Sequence, residues 1–104
     1  MTALMLAASE SESISVLESI LKREQNVNLT DQNGRTALHF ATGKGQPKHV
    51  QVLLNTPGID RNARTNGGNS PLMNAVGSGD IKSTIHCLNA GCNPFLENGL
   101  GETA

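Results

Sequence analysis

The chain contains no tryptophan, no tyrosine and only two phenylalanines in 104 residues. So little aromatic surface cannot stack on a run of bases or cage a large apolar ligand, which makes single-stranded nucleic acid a poor candidate partner. Charge excludes as much: eight Lys and Arg against nine Asp and Glu leave a formal net charge of −1. The chain as a whole is therefore not drawn to phosphate backbones or anionic membranes. No window approaches the roughly 20 apolar residues of a bilayer span, and the short apolar run Met1 to Ala8 has no basic region before it. Two cysteines, Cys87 and Cys92, are too few for the disulfide framework of a small secreted domain. A reducing intracellular setting, cytoplasmic or nuclear, is expected.

What is present fits one compact unit. The length is that of one ordinary domain, and Leu, Ile, Val and Phe make up about 23% of it, just above the roughly 20% below which disorder prevails. The strongest signal is self-similarity with a period of about 34 residues. The pattern starts at Thr2-Ala3-Leu4-Met5-Leu6-Ala7, at Thr36-Ala37-Leu38-His39-Phe40-Ala41, at Ser70-Pro71-Leu72-Met73-Asn74-Ala75, and again at Thr103-Ala104. Glycines keep the same beat: Gly34, Gly68 and Gly101 lie two residues before a start, and Gly45 and Gly79 nine after one. Recurring glycine implies a recurring turn with positive φ.

Each start reads as a helix N-terminus capped by Thr or Ser, with Pro71 at a first-turn position, and a helix of about two turns follows. Beyond the glycine turn the apolar spacing is helical again. The expected stripes are Ile14, Leu17, Ile20 and Leu21, then Val50, Leu53 and Leu54 behind Pro47, then Ile81, Thr84, Cys87 and Leu88. About a dozen polar residues, such as Asn26 to Arg35, then form a hairpin-like loop. Neither short helix can bury its stripe alone, so the units must stack into an all-α repeat solenoid. The expected division of the single domain 1–104 is repeat 1 over 2–35, repeat 2 over 36–69, repeat 3 over 70–102, and the start of a fourth at 103–104.

Asp31-Gln32-Asn33-Gly34-Arg35-Thr36-Ala37-Leu38-His39-Phe40-Ala41 resembles the ankyrin repeat almost position by position. The family's later signature is matched by Gly58-Ile59-Asp60-Arg61-Asn62-Ala63, Asn26-Val27-Asn28 and Gly91-Cys92-Asn93-Pro94. The resemblance covers essentially the whole chain. It implies stacked helix-turn-helix units joined by hairpin-like loops, and a histidine, His39, that hydrogen-bonds between neighbouring loops. Met5 and Met73 replace that histidine in the other copies. Asn74 is read as standing at a buried apolar position that needs a partner, and the third repeat as the softest. Because the chain opens at a motif start and closes in another first turn, it is expected to be a segment of a longer array, with self-association through exposed end repeats.

Catalytic chemistry finds little support. His39, His49 and His86 lack the i, i+4 spacing of zinc ligands on one helix, and His86 beside Cys87 points away from it, as i, i+1 neighbours do. Both cysteines read as core. Gly43-Lys44-Gly45 reads as a tight turn, not a phosphate loop. The segment Ser9-Glu10-Ser11-Glu12-Ser13-Ile14-Ser15 reads as a polar inter-helix turn with a serine cap, and otherwise as a phosphorylation site in acidic context. No metal, cofactor or catalytic residue is expected. Leu54, Asp60 and Asn62 have the spacing of the ankyrin repeats that an asparaginyl hydroxylase modifies, which makes Asn62 a candidate for hydroxylation.

The resemblance implies a non-catalytic protein-interaction module that grips a protein partner on the concave face of its loop tips and first helices. Carried over position by position, the partner-binding residues are Thr30, Gln32, Asn33, Arg35, Lys44, Arg64, Asn66, Asn69, Ser78, Glu97, Leu100 and Glu102, with Ser9, Glu10 and Gly43 beside them. Basic Arg35, Lys44 and Arg64 sit centrally and Glu10, Glu97 and Glu102 at the sides. This suits a partner with acidic or hydrogen-bonding groups at its centre and a basic group at an edge. The alternative is a regulatory ankyrin segment of a larger multidomain protein, docking in cis on an enzymatic or DNA-binding domain; catalysis by the segment itself is the weakest reading.

Overall fold

The computed structural model of the chain describes residues 2–10 and 13–104. Among these residues six helices follow in order: α1 (Ala3–Ser9), α2 (Ile14–Arg23), α3 (Ala37–Gly43), α4 (Pro47–Leu54), α5 (Pro71–Ser78) and α6 (Ile81–Asn89). The described residues contain no strand. The first helices α1, α3 and α5 pack in one row, the second helices α2, α4 and α6 in another, and each row packs on its mate. This is the all-α stack expected.

Local chemistry sets the helix ends. The Thr2, Thr36 and Ser70 hydroxyls accept from the Met5, His39 and Met73 amides at 3.1, 3.4 and 3.3 Å, each relieving one of the helix's orphan donors. Pro71 and Pro47 occupy first turns, where their missing N–H costs nothing. α5 ends on Gly79 at φ +73°, and α6 runs into Gly91 at φ +89°, behind which the Cys92 amide donates to the Cys87 carbonyl at 3.0 Å. That backward bond is the Schellman closure, and it lays Cys92 against the last turn of α6.

One continuous core joins the rows: Leu4 and Met5 of α1, Leu17 of α2, Leu38 of α3, Val50, Leu53 and Leu54 of α4, Leu72 of α5 and Cys87 of α6. Fully burying one such side chain stabilises the fold by about 1.5–3 kcal/mol. Ala8, Ala41 and Ala75 are fully buried, and their small side chains let first helices approach one another.

The second-helix stripes need correction. Ile81 and Leu88 do not join the core; they are 74% and 48% exposed, whereas Ser83, outside the expected stripe, is fully buried. Leu88 corresponds to Leu54, which is covered by α6, and among the described residues no further helix covers Leu88. Ser83 is held by the Asp80 carboxylate. Ile14, Ile20 and Leu21 are only half-buried. Asn74 is also corrected. It is half-buried, as is Phe40, and Leu6 at the same step of α1 is exposed, so the position lies at the surface edge of the first helices. Its side chain donates to the His39 carbonyl at 3.4 Å.

The loops repeat as faithfully as the helices. At each tip one backbone pair closes a small hairpin, Asp31 with Arg35, Thr65 with Asn69 and Asn98 with Glu102, and the glycine three residues on donates back to the first residue's carbonyl. Neighbouring tips then bond directly: Asn66 N–H to the Asn33 carbonyl at 3.0 Å and Gly99 N–H to the Gly67 carbonyl at 2.8 Å. Gly68 combines both demands of such a tip, with φ +82° and the Gly99 nitrogen only 2.9 Å from where a Cβ would stand. Gly68→Ala should therefore lower unfolding free energy in urea by about 2 kcal/mol or more, from left-handed backbone and clash together. Gly43→Ala, with nothing near its would-be Cβ, should leave stability unchanged or raise it.

Candidate functional site

Loop tips and first helices enclose an open groove of about 860 Å³. One wall is the row of tips, with Asn33, Thr65, Asn66, Gly67 and Asn98; the other is α5, with Met73, Asn74, Val76, Gly77 and Ser78. Gly43, Glu102, Thr103 and Ala104 also line it. Among the residues expected to bind a partner, the structure brings Asn33, Arg35, Asn66, Asn69, Ser78 and Glu102 together here. Thr30, Gln32, Lys44, Arg64, Glu97 and Leu100 lie outside it, all exposed.

Many of these side chains hold the scaffold. Asn66 Nδ2 donates to the Gln32 carbonyl at 3.0 Å. Asn69 receives twice, its carbonyl facing His39 Nε2 at 2.9 Å and its Oδ1 accepting from Asn98 Nδ2 at 3.1 Å. Arg64 donates to the Glu97 carbonyl in the next tip. Ser78 Oγ donates to the Thr42 and Ala75 carbonyls, tying α5 to α3. Arg35 meets Asp31 at 2.8 Å and lies 4.7 Å from the centroid of Phe40, a distance suited to a cation–π contact. The Arg35 amide, with its guanidinium and the Asn33 amide, holds the Asp31 carboxyl below its ordinary range. Lys44 is the member of the basic trio that makes no such contact among the described residues.

Sequence reasoning missed Thr65, Gly67, Met73, Asn74, Val76, Gly77 and Asn98 as groove residues. The 34-residue period could have found Asn98. It stands where Asp31 and Thr65 stand, and its Oδ1 accepts the Leu100 and Glu102 amides as Asp31 accepts those of Asn33 and Arg35. Val76 gave no such signal, because its counterpart Thr42 is fully buried while Val76 is 48% exposed.

His39 anchors the groove from behind. Its Nδ1 faces the Thr36 amide at 3.1 Å, a group that only donates, so Nδ1 accepts and Nε2 carries the proton toward Asn69. The ring is thus neutral, and burial lowers its pKa, opposed by the carbonyls of Asn69 and Ala63. A second ladder runs along the loops. Asn28 Oδ1 accepts the Asp60 amide at 2.8 Å and Asn62 Oδ1 the Asn93 amide at 2.8 Å, so the hydroxylation candidate bridges two loops. Cys92 faces the Arg61 carbonyl at 3.5 Å. The Cys87 thiol is pushed far up by its hydrogen bond to Cys92 and by burial. Among the described residues no three His, Cys, Asp or Glu side chains converge as a metal site, and no helix is long and apolar enough to cross a membrane.

A solenoid of helix pairs with a groove under hydrogen-bonded loop tips defines a repeat protein of the recognition type. The family model for ankyrin repeats in three copies matches residues 2–104, and the chain belongs to that family of protein-interaction modules, which are typically non-catalytic. Among curated proteins it is similar to palmitoyltransferase AKR1 of Candida glabrata, 40% identical over 98 residues. It is also similar to human BCL-6 corepressor-like protein 1, 32% identical over 89 residues, and to mouse SMC5-SMC6 complex localization factor protein 1, 38% identical over 68. The matches cover 94%, 86% and 65% of this chain but only 12%, 5% and 6% of those proteins.

The lowered pKa of His39 has a definite sign. Below its ordinary value of 6.5 the unfolded chain takes up a proton that the native ring resists, so this contribution to stability falls with falling pH until the native pKa is passed. Urea midpoints should drop between pH 7.5 and 5.5, and His39→Met, which copies Met5 and Met73, should flatten that part of the curve.

Proposed function

We propose that the chain is a non-catalytic recognition module that holds a segment of a protein partner along the concave groove. The observation that carries this reading is the groove itself, an open trough of about 860 Å³ whose walls are fixed by hydrogen bonds between successive tips. The free polar edge of Asn33 and the exposed flank of Val76 favour a partner that offers hydrogen-bonding groups with an apolar side chain between them. With Arg35 paired to Asp31 and Arg64 bonded to a carbonyl, the central basic character falls to Lys44. Glu97 and Glu102 keep the edge suited to a basic group.

The cis-docking alternative is favoured by one observation: the matched segment is a small fraction of each relative, so a module of this kind sits there within a much longer chain. Self-association is a further proposal, supported by exposed Val76, Leu88, Phe95 and Leu100. An intracellular setting is supported by the two free thiols. Hydroxylation of Asn62 rests on its spacing from Leu54 and Asp60 and on its exposure.

Gly43 and Gly77 line the groove, lack positive φ, and have open space where a Cβ would stand. A Gly43→Gln/Gly77→Gln variant should keep its helical circular dichroism and fill the trough. In affinity capture from lysate of the source cells, a partner retained by the parent should fall at least tenfold with the variant. Equal retention would place recognition elsewhere, and a partner captured only when the flanking chain is deleted would favour cis docking.

A further inference from the structure

Four of the six helix N-termini carry a side-chain cap: Thr2, Thr36 and Ser70 on α1, α3 and α5, and Asp80 on α6. The helices without one are α2 and α4, and their two N-termini share a single cleft of about 340 Å³, whose described lining is Ser13, Ile14, Gln46, Pro47, Lys48 and His49. Each uncapped end presents outward amides and the positive pole of its helix. Lys48 adds a full positive charge, and none of the described lining residues is acidic.

A second observation points to a ligand. His49 is only 5% exposed, lines this cleft, and its Nε2 has no hydrogen-bond partner. Native proteins rarely leave a buried polar nitrogen so. The third helix pair shows what fills the equivalent place. Asp80 and Ser83 stand 34 residues after Gln46 and His49, and there the Asp80 carboxylate accepts the Ser83 amide at 3.3 Å and also the Ser83 hydroxyl. An oxyanion supplied by the chain thus occupies the N-terminus of α6, while at α4 Gln46 stands in place of the aspartate and His49 in place of the serine.

We infer that the α2/α4 cleft is an oxyanion site for a phosphate group, supplied either by phosphorylated Ser13 on its rim or by free phosphate. Ser13 is exposed, sits at the N-cap of α2, and its hydroxyl contacts Ser15 Oγ at 3.1 Å in place of capping the helix. In the first case a protein kinase transfers the γ-phosphoryl group of a nucleoside triphosphate. The Ser13 Oγ–P bond forms, the P–O bond to the diphosphate breaks, and the hydroxyl proton passes to the kinase's base. The resulting dianion has three acceptor oxygens for the amides of both helix ends, Lys48 and His49.

Two arms separate the sources. In one, inorganic phosphate is titrated at constant ionic strength into unmodified protein while amide resonances are followed by NMR; in the other, phosphoserine is installed at position 13. The site predicts saturable shifts confined to Lys48, His49 and the first turn of α2 in at least one arm, and a higher Tm in that arm. Lys48 is exposed, so Lys48→Gln should fold normally, weaken the phosphate dissociation constant at least threefold and reduce the Tm gain from phosphoserine. Shifts with free phosphate alone support the site with a diffusible ligand, and shifts with phosphoserine alone support it as a modification site. Neither response, or responses that Lys48→Gln leaves unchanged, would overturn it.

Discussion

Everything in this fold depends on adjacent loop tips coming within hydrogen-bonding distance. The bonds from Asn66 N–H to the Asn33 carbonyl and from Gly99 N–H to the Gly67 carbonyl fix how far one helix pair stands from the next. Nothing larger than hydrogen fits on Gly34 or Gly68, where the neighbouring tip would meet a Cβ at 2.6 and 2.9 Å. Given that spacing, the first helices must touch, and Ala8, Ala41 and Ala75 are small where they do. The sequence period, the glycine beat and the alanines are three consequences of one distance.

His39 shows how the tips are tied to the helices. One ring nitrogen receives the Thr36 amide at the start of α3 while the other reaches the Asn69 carbonyl beyond the next loop, so a single neutral side chain satisfies two backbone groups about 30 residues apart. Met73 does only the first half: its Sδ faces the Ser70 amide at 3.5 Å and it has no proton to give onward. Beyond α5 the link passes to Asn98, whose amide side chain reaches both Asn69 and Glu102. The two sides of the third helix pair are therefore held differently, one through a titratable ring and the other through amides.

Repeat, helix starts, turns and stacking were all legible in the sequence, because each is imposed by the local needs of the backbone: a hydroxyl for an orphan amide, a glycine for positive φ, a 3.6-residue stripe for burial. What was not legible depended on the neighbouring unit. Whether Leu88 is core depends on what packs beyond α6, and whether Ser83 is buried depends on the helices packed against α6. The groove residues were half found for the same reason. Asn66, Asn69 and Arg64 occupy variable positions, yet each spends its polar groups on another loop about 30 residues away, and no single-unit pattern reveals such a partner.

That double use limits how this surface can acquire specificity. A side chain already bonded across the stack cannot turn toward a ligand without leaving a carbonyl or amide behind, a loss of about 1–3 kcal/mol if the abandoned group stays dry. The positions free to vary are those with no such duty: Asn33, whose backbone alone bonds its neighbour, Lys44 at the end of α3, Val76, and the two glycines with open space above them. Four of these five line the trough and Lys44 follows Gly43 just outside it, where changes in size and charge leave the spacing of the tips intact. Recognition can then change without disturbing the fold, because the residues that set the pitch and those that meet a partner share a face but not, at these positions, a hydrogen bond.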